Sequence, residues 1–94
     1  MPPTRRERIA AKLAASFQPK RLEVEDESAA HAGHAGSRPG GETHFRVEIV
    51  ADVFAGKSRL DRQRLIHRAL DMEFQSSLHA LRLKARTPEE DQAG

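Results

Sequence analysis

The 94 residues carry sixteen Lys and Arg against fourteen Asp and Glu, a formal net charge of +2, with 37% apolar residues and no cysteine. That length gives one domain, residues 1–94, with an adequate but thin core. The absence of thiols excludes a disulfide, a thiolate metal site supplied by this chain alone and a thiol nucleophile. No apolar run approaches the roughly 20 residues needed to span a bilayer, and no secretory apolar region opens the chain, so the cytoplasm is the expected compartment.

The N-terminal stretch has Thr4 followed three positions on by Glu7, the spacing of a capping box. Ile9, Leu13 and Phe17 then fall on one face of the helix it opens. Arg5, Arg6, Arg8 and Lys12 give the same stretch the charge of an organelle transit peptide, but its apolar face is read as part of the domain core. Gln18-Pro19 ends the helix. Arg21 to Glu27 alternates Leu22 and Val24 with acids, the pattern of a strand buried on one face. From Ser28 to Gly41 the composition turns to Ala, Gly, His, Ser and Pro, so residues 28–43 are expected to form a flexible loop. Loops of this length inside a small domain are often functional, and this one holds His31 and His34.

His44 to Asp52 is the clearest strand, with Phe45, Val47 and Ile49 on one face and His44, Arg46 and Glu48 on the other. A turn at Gly56 leads to a basic helix over Leu60 to Met72, opened by Ser58 or Asp61. Leu65, Ile66, Ala69 and Leu70 form its buried face and Arg62, Arg64 and Arg68 lie largely outside it. Glu73 to Leu78 reads as a short second helical turn. A third strand follows, opening at His79-Ala80-Leu81 and alternating Leu81, Leu83 and Ala85 with Arg82 and Lys84. Thr87-Pro88-Glu89-Glu90 has the cap, first-turn proline and early acids of another helix start, with residues 89–94 expected to fray. The order α-β-β-α-α-β predicts an α+β fold. Its first two strands pair antiparallel, the third lies parallel to the second after a helical crossover, and the helices cover one face of the three-stranded mixed sheet.

Charge is unevenly spread. Lys57 to Arg86 holds eight Lys and Arg against three Asp and Glu, while residues 1–56 hold eight of each. Such a basic segment suits a solvated helix face or an anionic partner surface. The five histidines at 31, 34, 44, 67 and 79 are the side chains best suited by type to a transition metal. His67, on a helix, and His44, at a strand start, read as structural. His79 stands at the mouth of the third strand, within reach of a loop carrying His31 and His34. Two imidazoles leave a four-ligand site incomplete, so a metal held there needs ligands from a second molecule. Nucleophile elbow, phosphate-cradling Gly-rich loop and HExxH helix are all missing, and no enzyme is expected.

Taken in order, Glu42-Thr43-His44-Phe45, Phe54-Ala55-Gly56-Lys57-Ser58, Arg62-Gln63-Arg64 with Leu65-Ile66-His67, Leu78-His79-Ala80-Leu81 and Thr87-Pro88 resemble the BolA family over nearly the whole chain. The resemblance implies a domain similar to the second class of KH fold and a monothiol glutaredoxin as partner. In such heterodimers a [2Fe–2S] cluster is shared: the glutaredoxin cysteine and a glutathione thiol hold one side, and histidines of the BolA-like chain hold the other. Histidine in place of thiolate at one iron has precedent in Rieske centres. His79 matches the family's C-terminal histidine and His31 the ligand of its variable loop, while a loop a few residues longer offers His34 as a competitor. Arg62-Gln63-Arg64 stands where the family commonly has Arg-His-Arg.

The leading expectation is therefore a non-enzymatic glutaredoxin partner in iron–sulfur cluster trafficking or iron sensing, monomeric when alone, with Lys57, Arg62, Arg64 and Arg68 as the docking surface. The alternative is a KH-like nucleic-acid-binding transcriptional regulator using the basic helix. Against that alternative, Gly56-Lys57-Ser58-Arg59 lacks the second glycine of a GxxG clamp, and a chain without Tyr or Trp has no ready stacking platform.

Overall fold

The computed structural model describes residues 2–27, 44–76, 78 and 80–93. Helix α1 spans Arg5–Phe17 and opens as its sequence dictates. The Thr4 hydroxyl accepts from the Glu7 amide and the Glu7 carboxylate accepts from the Thr4 amide, satisfying orphan donors at both ends of the first turn. It stops at Gln18, which takes the left-handed conformation at φ 48°. Strands β1 (Arg21–Asp26) and β2 (His44–Val50) pair antiparallel, and β3 (Ala80–Arg86) lies parallel to β2, giving the sheet order β1-β2-β3. The crossover from β2 to β3 passes through a 3-10 turn at Asp52–Phe54, helix α2 (Arg59–Ala69) and helix α3 (Asp71–Ser76). A parallel pair requires such a connection.

Registers of Leu22 with Ile49, Val24 with Val47, Phe45 with Leu81 and Val47 with Leu83 put these seven apolar residues on one face. Against that face α1 lays Ile9, Leu13 and Phe17 and α2 lays Ile66 and Leu70, with Phe54 between them, its ring 5.4 Å from that of Phe17. Ile9, Leu13, Val47, Ile49, Phe54, Ile66 and Leu70 are fully buried. The opposite face is ionic. Arg46 bonds Glu25 at 2.7 Å and lies 3.2 Å from Glu48, which Lys84 approaches at 3.6 Å, and Arg82 bonds Glu27 at 2.8 Å.

The element ends refine the sequence reading, and β2 stops at Val50 rather than Asp52, which opens the 3-10 turn. The basic helix ends at Ala69 rather than Met72, because Leu70 leaves helical geometry at φ −105° and ψ 14° and the chain restarts at Asp71 as α3. The helix start expected at Thr87-Pro88 is present as helix α4 over Pro88–Ala93. A second capping pair holds it: the Glu90 amide donates to the Thr87 hydroxyl and the Thr87 amide to the Glu90 carboxylate at 2.8 Å.

Candidate partner-binding site

Two regions carry the residues singled out from sequence, the sheet end from which β3 starts and the basic helix α2. At the sheet end His44 is in register with Ala80, and the Glu27 amide donates to the His44 carbonyl at 2.7 Å. Glu27 and His44 are the two described residues flanking positions 28–43, and Ala80 directly follows position 79. Both histidine-bearing stretches are thus joined to the fold at one end of one sheet. His31, His34 and His79 themselves lie outside the described residues. Among the described residues no group of three or more His, Asp or Glu side chains is arranged to hold a metal ion.

The remaining histidines take structural positions. His67 stacks on Phe74 with ring centroids 4.8 Å apart, fastening α2 to α3, and its Nε2 is buried without a partner among the described residues. His44 is half-buried in β2, as its place in the strand implies.

The four basic residues proposed as a surface separate into two kinds. Lys57, Arg64 and Arg68 are exposed, Arg64 making only a loose 3.8 Å approach to Asp61. Arg62 is different, with a side chain only 11% exposed. Its guanidinium donates to both Glu90 oxygens at 2.6 and 3.1 Å, to the Ala85 carbonyl at 3.1 Å and to the Lys57 carbonyl at 3.0 Å, and lies 6.0 Å from the centre of the Phe54 ring. This arginine joins α2, the end of β3 and α4, using the planar fork that a lysine lacks. The Arg62 bond, with the Thr87 amide behind it, holds the Glu90 carboxyl down at about 2. A cleft of about 620 Å³ opens beside this joint along the free edge of β3.

Sequence reasoning missed a buried cluster on the far side of the core. Glu73, on α3, accepts from Arg5 at 3.0 Å, from Arg8 at 3.1 Å and from Lys12 at 2.7 Å, and Arg5 also donates to the Glu73 carbonyl. Arg5 and Glu73 are both about 5% exposed. Burial pushes the Glu73 carboxyl up, but the bonds from Arg8 and Lys12 outweigh it and leave the group below its ordinary value. The available signal was the spacing of Arg5, Arg8 and Lys12 along one helix face, which calls for a counter-charge at that position in space.

Comparison with known proteins matches this fold and chain order. The BolA-like protein family model covers residues 13–90. The BolA domain of SufE1 from Arabidopsis thaliana superposes with a TM-score of 0.84 at 48% identity, covering 96% of this chain and 99% of that one. SufE-like protein 1, chloroplastic/mitochondrial, from the same plant is 51% identical over 88% of this chain and 24% of its own length. The DNA-binding transcriptional regulator BolA of Escherichia coli (strain K12) is 47% identical over 90% of this chain and 77% of its own. The chain belongs to the BolA family. It spans 56% of the length of BolA-like protein 1 from Mus musculus and about a quarter of the SufE-like relative. No helix among the described residues is long and apolar enough to cross a membrane.

Proposed function

We propose that this chain is a non-enzymatic cytoplasmic partner of a monothiol glutaredoxin, contributing His79 and either His31 or His34 to a shared [2Fe–2S] cluster in cluster trafficking or iron sensing. The observation that carries the reading is the common anchorage of the two histidine-bearing stretches: Glu27, His44 and Ala80 tie residues 28–43 and position 79 to one sheet end. The donor set fits such a group only in part. A chain without cysteine offers imidazole and no thiolate, so glutaredoxin and glutathione would supply the sulfur ligands. The bound cluster would supply iron in a form that one partner can pass on or report.

The test is a titration of cluster-loaded monothiol glutaredoxin, with glutathione present, against the wild type and the His79→Ala, His31→Ala and His34→Ala variants, followed by visible absorption and circular dichroism. A reshaped spectrum that needs His79 and one loop histidine supports the shared site and names the second ligand. Four unchanged spectra refute it.

A second reading, binding of duplex DNA, is favoured by the name of the Escherichia coli relative and by the exposed cations Lys57, Arg64 and Arg68. It predicts salt-dependent binding that survives His79→Ala and is lost on Arg64→Ala with Arg68→Ala. Arg62 is a poor probe for this purpose because its loss would release α4.

A further inference from the structure

Strand β3 is an edge of the sheet, with no strand beyond it among the described residues. The Arg86 carbonyl accepts from the Ala51 amide on the β2 side. By the alternation of strand backbone, residues 81, 83 and 85 turn their amides and carbonyls outward. Arg62 donating to the Ala85 carbonyl from outside the sheet bears this out and closes that end of the edge. Leu81 and Leu83 remain, two residues apart, half-buried, and both lining the 620 Å³ cleft. An open edge of this kind is a template for another strand.

The rim of the cleft says what sort of strand. Lys57, Arg59, Arg62, Lys84 and Arg86 stand around it against the single acid Glu90. Arg62 is spent on Glu90, whereas Lys57 and Arg59 are exposed and take part in none of the ion pairs among the described residues. Glu90 itself illustrates the chemistry, a carboxylate seated at the cleft by paired guanidinium bonds.

We propose that the β3 edge is a docking site for an acidic, extended segment of another protein, added as a fourth strand. Its backbone pairs with Leu81 and Leu83, its alternate apolar side chains settle on those leucines, and its carboxylates meet Lys57 and Arg59. The chain's own β1 has the same acidic alternation but is a weaker candidate in a second copy, because Glu23 and Glu25 are already paired with Arg21 and Arg46. This site is independent of the cluster reading. It is tested without glutaredoxin or iron, so either can fail alone.

The experiment titrates the ¹⁵N-labelled chain with an eight-residue peptide of alternating Glu and Val, followed by amide shifts and hydrogen exchange. Expected are shifts centred on Leu81, Leu83 and Lys57 to Arg59, slower exchange of the Leu81 and Leu83 amides, and roughly tenfold weaker binding in Lys57→Glu with Arg59→Glu. Both substituted residues are exposed, and the unperturbed remainder of the spectrum reports that the variant is folded. A peptide with N-methylated amides on its pairing edge should not bind. Equal binding of that methylated peptide, or of a single-stranded oligonucleotide with the same shifts, would reduce the site to a generic anion surface and overturn strand addition. No binding overturns it outright. So does concentration-dependent self-association in sedimentation that the double variant abolishes, since a second copy would then be the occupant.

Discussion

Replacing Glu73 by Gln preserves the shape of the side chain but leaves the nearly buried Arg5 guanidinium, and the bonds from Arg8 and Lys12, without a counter-charge. Breaking a buried pair from one side is costly, so Glu73→Gln should lose about 3 kcal/mol or more in urea unfolding. Combining it with Arg5→Met should cost less than the sum of the two single changes. Glu90 offers the pH counterpart. Its folded value of about 2 against an ordinary 4.5 means that the unfolded chain binds the extra proton between those limits. Its contribution to stability is therefore complete above 4.5 and disappears as pH falls towards 2. Glu90→Gln should flatten the acid limb of the stability curve in that window, measured by circular dichroism melts at stepped pH. For neither interaction was the partner legible locally, although the spacing of Arg5, Arg8 and Lys12 called for some counter-charge. Each joins residues far apart in sequence, Arg62 to Glu90 and Arg5 to Glu73, and periodicity reports only which face a side chain shares with its near neighbours.

Elements were legible where one period dominates. The alternation of Phe45, Val47 and Ile49 placed β2 and its buried face, and Thr4 with Glu7 placed the start of α1. The break at Leu70 was not, because the apolar spacing through Leu65, Ile66, Ala69 and Leu70 continues to Met72, whereas α3 needs a new direction to bring Phe74 onto His67 and Glu73 to α1. The start of α4 was legible in Thr87-Pro88-Glu89-Glu90 but its hold was not, since six residues are too few to persist by propensity alone and this helix relies on Arg62. Backbone conformation yields a paired prediction. Gln18 caps α1 at φ 48° and Gly56 turns at φ 75° with nothing within 4 Å of the space a Cβ would fill. Gln18→Gly should stabilise by about 0.5 to 1 kcal/mol and Gly56→Ala destabilise by about 1 kcal/mol, read as opposite shifts in melting temperature.

On the scale of the whole molecule, helices α1 and α2 and all three strands close on one core that runs from Ile9 to Leu78. The order of strands and the single covered face followed from the sequence because a long helical connection allows parallel pairing and the large apolar residues, Val50 apart, occupy one parity of each strand. The cleft along β3 did not, since it exists only once α2 and α4 stand at the edge of the sheet. One shared core also predicts that far-ultraviolet circular dichroism and the amide signals of α1 and β3 vanish together in urea, in a single transition.

The Glu73 cluster has a further meaning for how the chain reaches this state. Arg5 meets its partner 68 positions later, after both antiparallel strands and most of the crossover have been passed. Within this chain α1 is made before α3, so its cations precede the acid that pairs with them. The apolar face of α1 can dock on the sheet and α2, whereas its ionic face waits for α3. A contact of such sequence separation is expected to be absent from the folding transition state, so that Glu73→Gln speeds unfolding more than it slows folding in a stopped-flow chevron.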